Sequence, residues 1–199
     1  MIYKLTFDMD LIDETIKNNE NYIYAESCNM DDIEVNEIKK GFFDKIILKK
    51  DLSIEWPEVE FYYSSKVSSK ESDYLLNVKR WPIIHTRVKE IFERKNINGI
   101  KFYPIKLIDV CTQDVNKNYF VMYVENFIDA FDMNKSNYKY NEKYNVYTFI
   151  PQQIFMNFDE CRKYDIFRAD KSVAGIYVSD KICDILKDNF IGFKLVEQK

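Results

Sequence analysis

Two stretches of this chain write the same physical phrase: IIHTRVKEIFERKNINGIKF (Ile83–Phe102) and IYVSDKICDILKDNFIGFKL (Ile176–Leu195). With His85 set over Ser179, Val88, Ile91 and Phe92 fall over Ile182, Ile185 and Leu186. Each trio has the i, i+3, i+4 spacing that puts three apolar side chains on one helix face. A short apolar strand precedes each helix, and a hydroxyl residue, Thr86 or Ser179, is placed to cap its start. A lone glycine, Gly99 or Gly192, then precedes a strand-like tail, and the whole chain holds only 4 glycines. Both glycines come after the helix and lack a Gly-Lys-Ser/Thr neighbourhood, so neither forms a phosphate cradle. Their expected place is a left-handed helix exit. The expected fold is therefore α+β, with a mixed or antiparallel sheet, a few short helices and two strand–helix–strand pseudo-repeats. A true duplication and two separate uses of one common unit both fit the pattern.

The remaining order is read from strand-like runs. IYKLTF (2–7), YIYAE (22–26) and VEFYY (59–63) have the aromatic and β-branched content of strands, DYLLNV (73–78) resumes order, and YFVMYV (119–124) is the best buried strand. IKFYPIKLIDV (100–110) is strand-like too, with Pro104 assigning it to an edge or a bend. SSKVSSKES (64–72) is expected to be a mobile connector, and KSNYKYNEKYN (135–145) a polar loop. A chain of 199 residues is expected to form a single compact domain over 1–199, with alternative lobes at 1–111 and 119–199.

Composition narrows the class. A hydrophobic share of 46% excludes a disordered chain, and no apolar run approaches the ~20 residues of a membrane span. The start, MIYKLTFDMD, is acidic where a secretory signal is basic, and the 4 cysteines are widely spaced with no CxxC pair. A cytoplasmic protein with reduced, mostly buried thiols is expected. The net charge of −4 is uneven: residues 1–37 hold ten acids against Lys4 and Lys17. No basic stripe marks a nucleic-acid binder, so no direct nucleic-acid binding is expected. The acidic third suits a cationic partner instead.

No catalytic constellation emerges. His85 is the only histidine and stands at a strand-to-helix junction, with no cysteine or serine beside it in sequence. Cys28, Cys111, Cys161 and Cys183 lack zinc-ligand spacing. DMDLIDE (8–14) lacks the glycine and terminal glutamate of a calcium loop. Asp129 and Asp132 would share one face of a helix, where paired carboxylates can do acid–base chemistry; capping or turn bonds are the alternative. The expectation is no enzyme activity, no cofactor and no metal.

The C-terminal half carries a further pattern. A strand leads into Ile128, Asp129, Asp132 and Ser136; Ile166, Phe167 and Arg168 follow; then come Val178 and Ser179 at a helix start, and Gly192 before the last strand. Over roughly residues 73–197 this resembles a bacterial immunity-protein family of polymorphic toxin systems, the family numbered eleven and formerly a domain of unknown function. PIIHTRVKEIFE through GIKFYPI (82–105) resembles the family's preceding unit, which usually has serine where His85 stands, so Thr86 is expected to take over the cap. Residues 1–72 match no pattern. The resemblance implies a non-enzymatic cytoplasmic protein that binds and neutralises a cognate toxin; the acidic face, which could mimic a phosphate backbone, suggests a nuclease as the target. The alternatives are a peptide-binding adaptor and an unrecognised hydrolase. Within the acidic third, Asp31, Asp32, Glu34 and Glu37 are the expected toxin contacts, interleaved with Met30, Ile33, Val35 and Ile38.

Overall fold

The structure is a computed structural model that describes residues 1–11, 21–29, 56–143, 146–150, 152–171 and 175–199. Asp31, Asp32, Glu34 and Glu37 lie outside the described residues.

Both echoed stretches fold into the same unit. In the first, β6 (Ile83–His85), α1 (Thr86–Arg94) and β7 (Ile100–Asp109) follow in order. Both strands pair antiparallel with β8 (Val115–Val124), so they run parallel to each other with β8 between them. In the second, β13 (Ile176–Ser179), α3 (Asp180–Leu186) and β14 (Phe193–Glu197) flank β1 (Ile2–Phe7) in the same way. Each echo is thus a split βαβ unit whose gap is filled by an antiparallel strand. The filler comes from after one unit and from the chain's N-terminal end for the other.

The helix ends correct two expectations. His85, not Thr86, is the N-cap of α1: its Nδ1 accepts the Arg87 N–H at 3.3 Å, and Thr86 is already helical. Ser179 holds the matching position of α3, but its hydroxyl turns away to donate to Asp165 Oδ1 at 3.3 Å. The left-handed exit of α1 is Asn96 (φ 52°), whose N–H donates to the Glu93 carbonyl while Ile97 N–H donates to that of Phe92. That pair closes a Schellman motif. Gly99 and Gly192 also have positive φ, 78° and 101°, but at the start of the following strand, where another chain element comes close. A Cβ on Gly99 would collide with the Asn126 side-chain amide, and one on Gly192 would stand 2.8 Å from the Tyr74 carbonyl oxygen. Because the obstacle at Gly192 is backbone, Gly192→Ala is expected to destabilise by about 1–3 kcal/mol, read from the denaturant midpoint.

The larger sheet has the order β2-β5-β6-β8-β7-β4-β3, where β2 is Tyr24–Ala25, β3 Ser27–Cys28, β4 Glu60–Tyr63 and β5 Tyr74–Asn77. Only Glu26 separates β2 from β3, and its N–H donates to the Tyr62 carbonyl at 2.9 Å. One extended segment therefore holds both outer strands, and the sheet closes on itself. Its inward face, with Ala25, Phe61, Leu75, Ile83, Leu107 and Val121, forms one core. Pro104 fits because β4 pairs with β7 only from Lys106 onward, leaving that side of Pro104 without a strand.

The second sheet has the order β14-β1-β13-β12-β9, with β12 at Ile166–Ala169 and β9 at Phe127–Ile128. Between the two sheets lies a shared core of Ile84, Met122 and Val124 from one and Leu5, Ile166 and Val178 from the other. Both helices enter it: Val88, Phe92, Ile182 and Leu186 are buried there, and Ile91 and Ile185 pack against it. A third core, on the far face of the second sheet, holds Phe131, Phe167 and Tyr177 together with Cys161 of α2 (Phe158–Cys161). Mixed and antiparallel sheets with three short helices among the described residues make the fold α+β, as expected.

Within the 64–72 connector, Ser68 and Ser72 are buried, and the Ser72 hydroxyl donates to the Tyr74 carbonyl at 2.8 Å, while the residues between them are exposed. The 135–145 segment supplies β10 (Tyr138–Asn141), which pairs with β11 (Val146–Phe149) as a ribbon. All four cysteines are free thiols; Cys161 and Cys183 are buried, Cys28 is half-buried and Cys111 is exposed.

Candidate protein-binding cleft

The titratable groups singled out in the sequence serve the fold. The His85 ring is buried, meets the Tyr119 ring edge-on at 5.1 Å, and faces Glu71 Oε2 from Nε2 at 3.8 Å. Since Nδ1 accepts the capping bond, the ring proton sits on Nε2. Burial pushes the imidazole below its ordinary value near 6.5; the Arg87 cation adds to this, and Glu71, Asp73 and Glu90 oppose it. The unfolded chain then takes up the proton first, so stability present above 6.5 is lost as the pH falls below it. The melting temperature is expected to drop as the pH falls below 6.5, and His85→Asn, which keeps a capping oxygen without titrating, to flatten that fall.

Asp73 is an interlock. Its buried carboxylate accepts the Ile191 N–H at 2.9 Å and faces Arg87 Nη2 at 2.9 Å. Its backbone N–H donates to the Ile191 carbonyl, and its carbonyl accepts from His85 N–H. One residue thus joins the first unit to the approach of β14. Asp129 and Asp132 do not share a helix, because the chain there is β9 followed by a turn. Asp129 pairs with Lys171, while Asp132 accepts the Asn134 and Lys135 N–H groups at 3.1 and 3.3 Å. Ser136 accepts the Phe155 N–H at 2.9 Å, and Arg168 is buried with its guanidinium over the Phe127 ring. Among the described residues, no three His, Cys, Asp or Glu side chains are grouped to hold a metal ion.

Strand alternation builds a cleft. In the 22–26 run, Ile23 and Ala25 enter the closed sheet's core, which turns Tyr22, Tyr24 and Glu26 outward. In β5, Leu75 and Asn77 point in, so Leu76 and Val78 turn out beside them. Phe7, Met9 and Leu11, at and beyond the end of β1, face this corner across a space of about 870 Å³. Asn77 shapes one lip: its side chain donates to the Leu75 and Trp81 carbonyls and accepts from Trp81 N–H. The tight turn leaves Arg80 left-handed at φ 54°, a conformation of roughly 1–3 kcal/mol cost that a non-glycine residue keeps only where its surroundings impose it. Sequence reading missed the cleft. The signal was YIYAE itself, which carries large apolar groups on both strand faces, where a solvated face would be polar.

A second aromatic feature is the β10–β11 ribbon. Tyr138 opposes Phe149 and Tyr140 opposes Tyr147, all on one face. Phe149 meets Phe131 of the third core at 4.7 Å, so the ladder runs outward from that core to the exposed Tyr140.

Comparison with known proteins places the chain. A family model described as Immunity protein family (Imm11) matches residues 7–199. The match begins well before residue 73, so the N-terminal region that resembled nothing in sequence is part of the family pattern. No curated protein matches the chain. Covering nearly its whole length, the family match shows that the chain belongs to the Imm11 immunity protein family.

Proposed function

We propose that this protein neutralises a cognate bacterial toxin of a polymorphic toxin system by binding it in the cytoplasm, without catalysing a reaction. Family membership over residues 7–199 carries this reading. The local chemistry agrees with it: His85, Asp73, Asp129 and Asp132 are each engaged in caps, turns or ion pairs. An inhibitor needs a stable, shaped surface, and these contacts provide one.

The partner's character is read from charge. A nuclease needs a cationic groove for phosphates, and an inhibitor can occupy that groove with carboxylates. Asp31, Asp32, Glu34 and Glu37, four acids within seven residues, are the proposed contacts. The test is co-expression in a bacterial host with the toxin domain encoded beside this gene. Growth with the pair and arrest with the toxin alone support the reading, whereas arrest in both removes it.

A further inference from the structure

We propose that the guanidinium of Arg168 binds a small oxyanion, a carboxylate or phosphate group, between the two sheets. The proposal goes beyond the immunity reading and does not depend on it.

Strand alternation puts Arg168 there. In β12, Ile166 faces the shared core and Phe167 the third core, so Arg168 returns to the side of Ile166. The pairing registers set it in one row with Leu195, Leu5, Ile176 and Phe127. A cation thus stands in a row whose other members are apolar. Only 6% of it is exposed.

The absence of a counter-charge sets Arg168 apart. Among the described residues, three carboxylate or guanidinium side chains are buried: Asp73, Asp109 and Arg168. Asp73 faces Arg87 and accepts the Ile191 N–H. Asp109 accepts the Ser65 and Cys111 N–H groups and the Thr112 hydroxyl. The Arg168 guanidinium has no ion pair and no hydrogen bond among the described residues; it has the Phe127 ring, centred 5.5 Å from Cζ. Burial disfavours the cation, and the titratable groups that oppose this are two phenols, Tyr123 and Tyr74. A ring face attracts a cation, but it does not satisfy five directed N–H donors. A buried charge left in that state is costly, and such a group marks a place for a bound ion or water.

The donors remain within reach. Among the described residues, the one buried side-chain polar atom that is sealed from solvent and has no hydrogen bond is Asp73 Oδ1. The Arg168 nitrogens lack hydrogen bonds too, so solvent touches them. An oxyanion suits them better than water does. Its paired oxygens match the planar fork of donors, and its charge cancels that of the guanidinium. The small opening admits one such group rather than a chain segment.

The test is a titration of the protein with sodium phosphate and, separately, sodium acetate, each against sodium chloride at equal ionic strength. The Nε–H signal of Arg168, assigned through its contact with the Phe127 ring, is expected to shift and saturate with at least one oxyanion and not with chloride. The melting temperature should rise by about 3–6 °C at ten times the dissociation constant. Arg168→Met keeps an apolar stem of similar reach and should lose that rise, whereas Arg94→Met, at an exposed arginine, should keep it. Saturation with phosphate alone, or with acetate alone, identifies which group the site takes. A rise that Arg168→Met shares is a general salt effect and overturns the proposal. An Arg168 signal that neither oxyanion moves overturns it as well, whether or not the variant folds.

Discussion

Reversing Asp31, Asp32, Glu34 and Glu37 to lysine is expected to weaken toxin binding by several orders of magnitude. Close opposite charges across an interface couple by about 1.5–7 kcal/mol each in the best-measured cases, and four reversals turn attraction into repulsion. Much of the loss should appear in the association rate, because long-range attraction steers encounter and is screened by salt. Wild-type affinity should therefore fall as salt rises, and the quadruple variant should lose that slope. A melting curve on the same sample separates lost binding from lost fold. Unchanged affinity in the variant, with no salt dependence in the wild type, would make these acids ordinary solvated charge.

Truncating the shared core is expected to have the largest effect on stability. Phe92 of α1 and Leu186 of α3 are both buried between the two sheets, at equivalent places in the two split βαβ units. Phe92→Ala should cost about 3–5 kcal/mol and Leu186→Ala about 2–5 kcal/mol, from lost transfer energy and the cavity left behind. Native stabilities are only about 5–15 kcal/mol, so either change removes a large share of the total. Because both units share that core, each variant should unfold in one transition that lowers the denaturant midpoint for the whole chain. A cost below about 1 kcal/mol at either position would mean the helices are not seated as described.

The units themselves were legible because their signals are local. Three apolar residues at helical spacing, a strand on each side and one glycine per unit carried the split βαβ pattern from sequence to fold. Partners brought from afar were not legible. Nothing in Ile83–Phe102 says that β8 fills its gap, or in Ile176–Leu195 that β1 fills the other. The glycines were found but their purpose was misread, since it depends on Asn126 and Tyr74, far away in sequence. His85 stood where serine was expected, yet its Nδ1 reaches the same kind of N–H that a serine hydroxyl would bind.

The ribbon was hidden by composition. KSNYKYNEKYN reads as polar because Lys and Asn alternate with Tyr, but alternation is what a two-faced strand requires. The cleft was hidden by distance: its walls are the outward faces of β2 and β5 and the end of β1, and the closing of the larger sheet at Glu26 brings them together. Period-2 patterning showed which residues share a face, and only the register showed what that face meets.

The most direct test of the central claim is a titration of toxin activity with the purified protein. A binding inhibitor abolishes activity at an equimolar ratio, with a sharp break when the toxin concentration is well above the dissociation constant, and the toxin recovered from the complex is chemically unchanged. Activity that persists at excess inhibitor, or that vanishes at a small fraction of equimolar inhibitor with covalently altered toxin, would contradict the account.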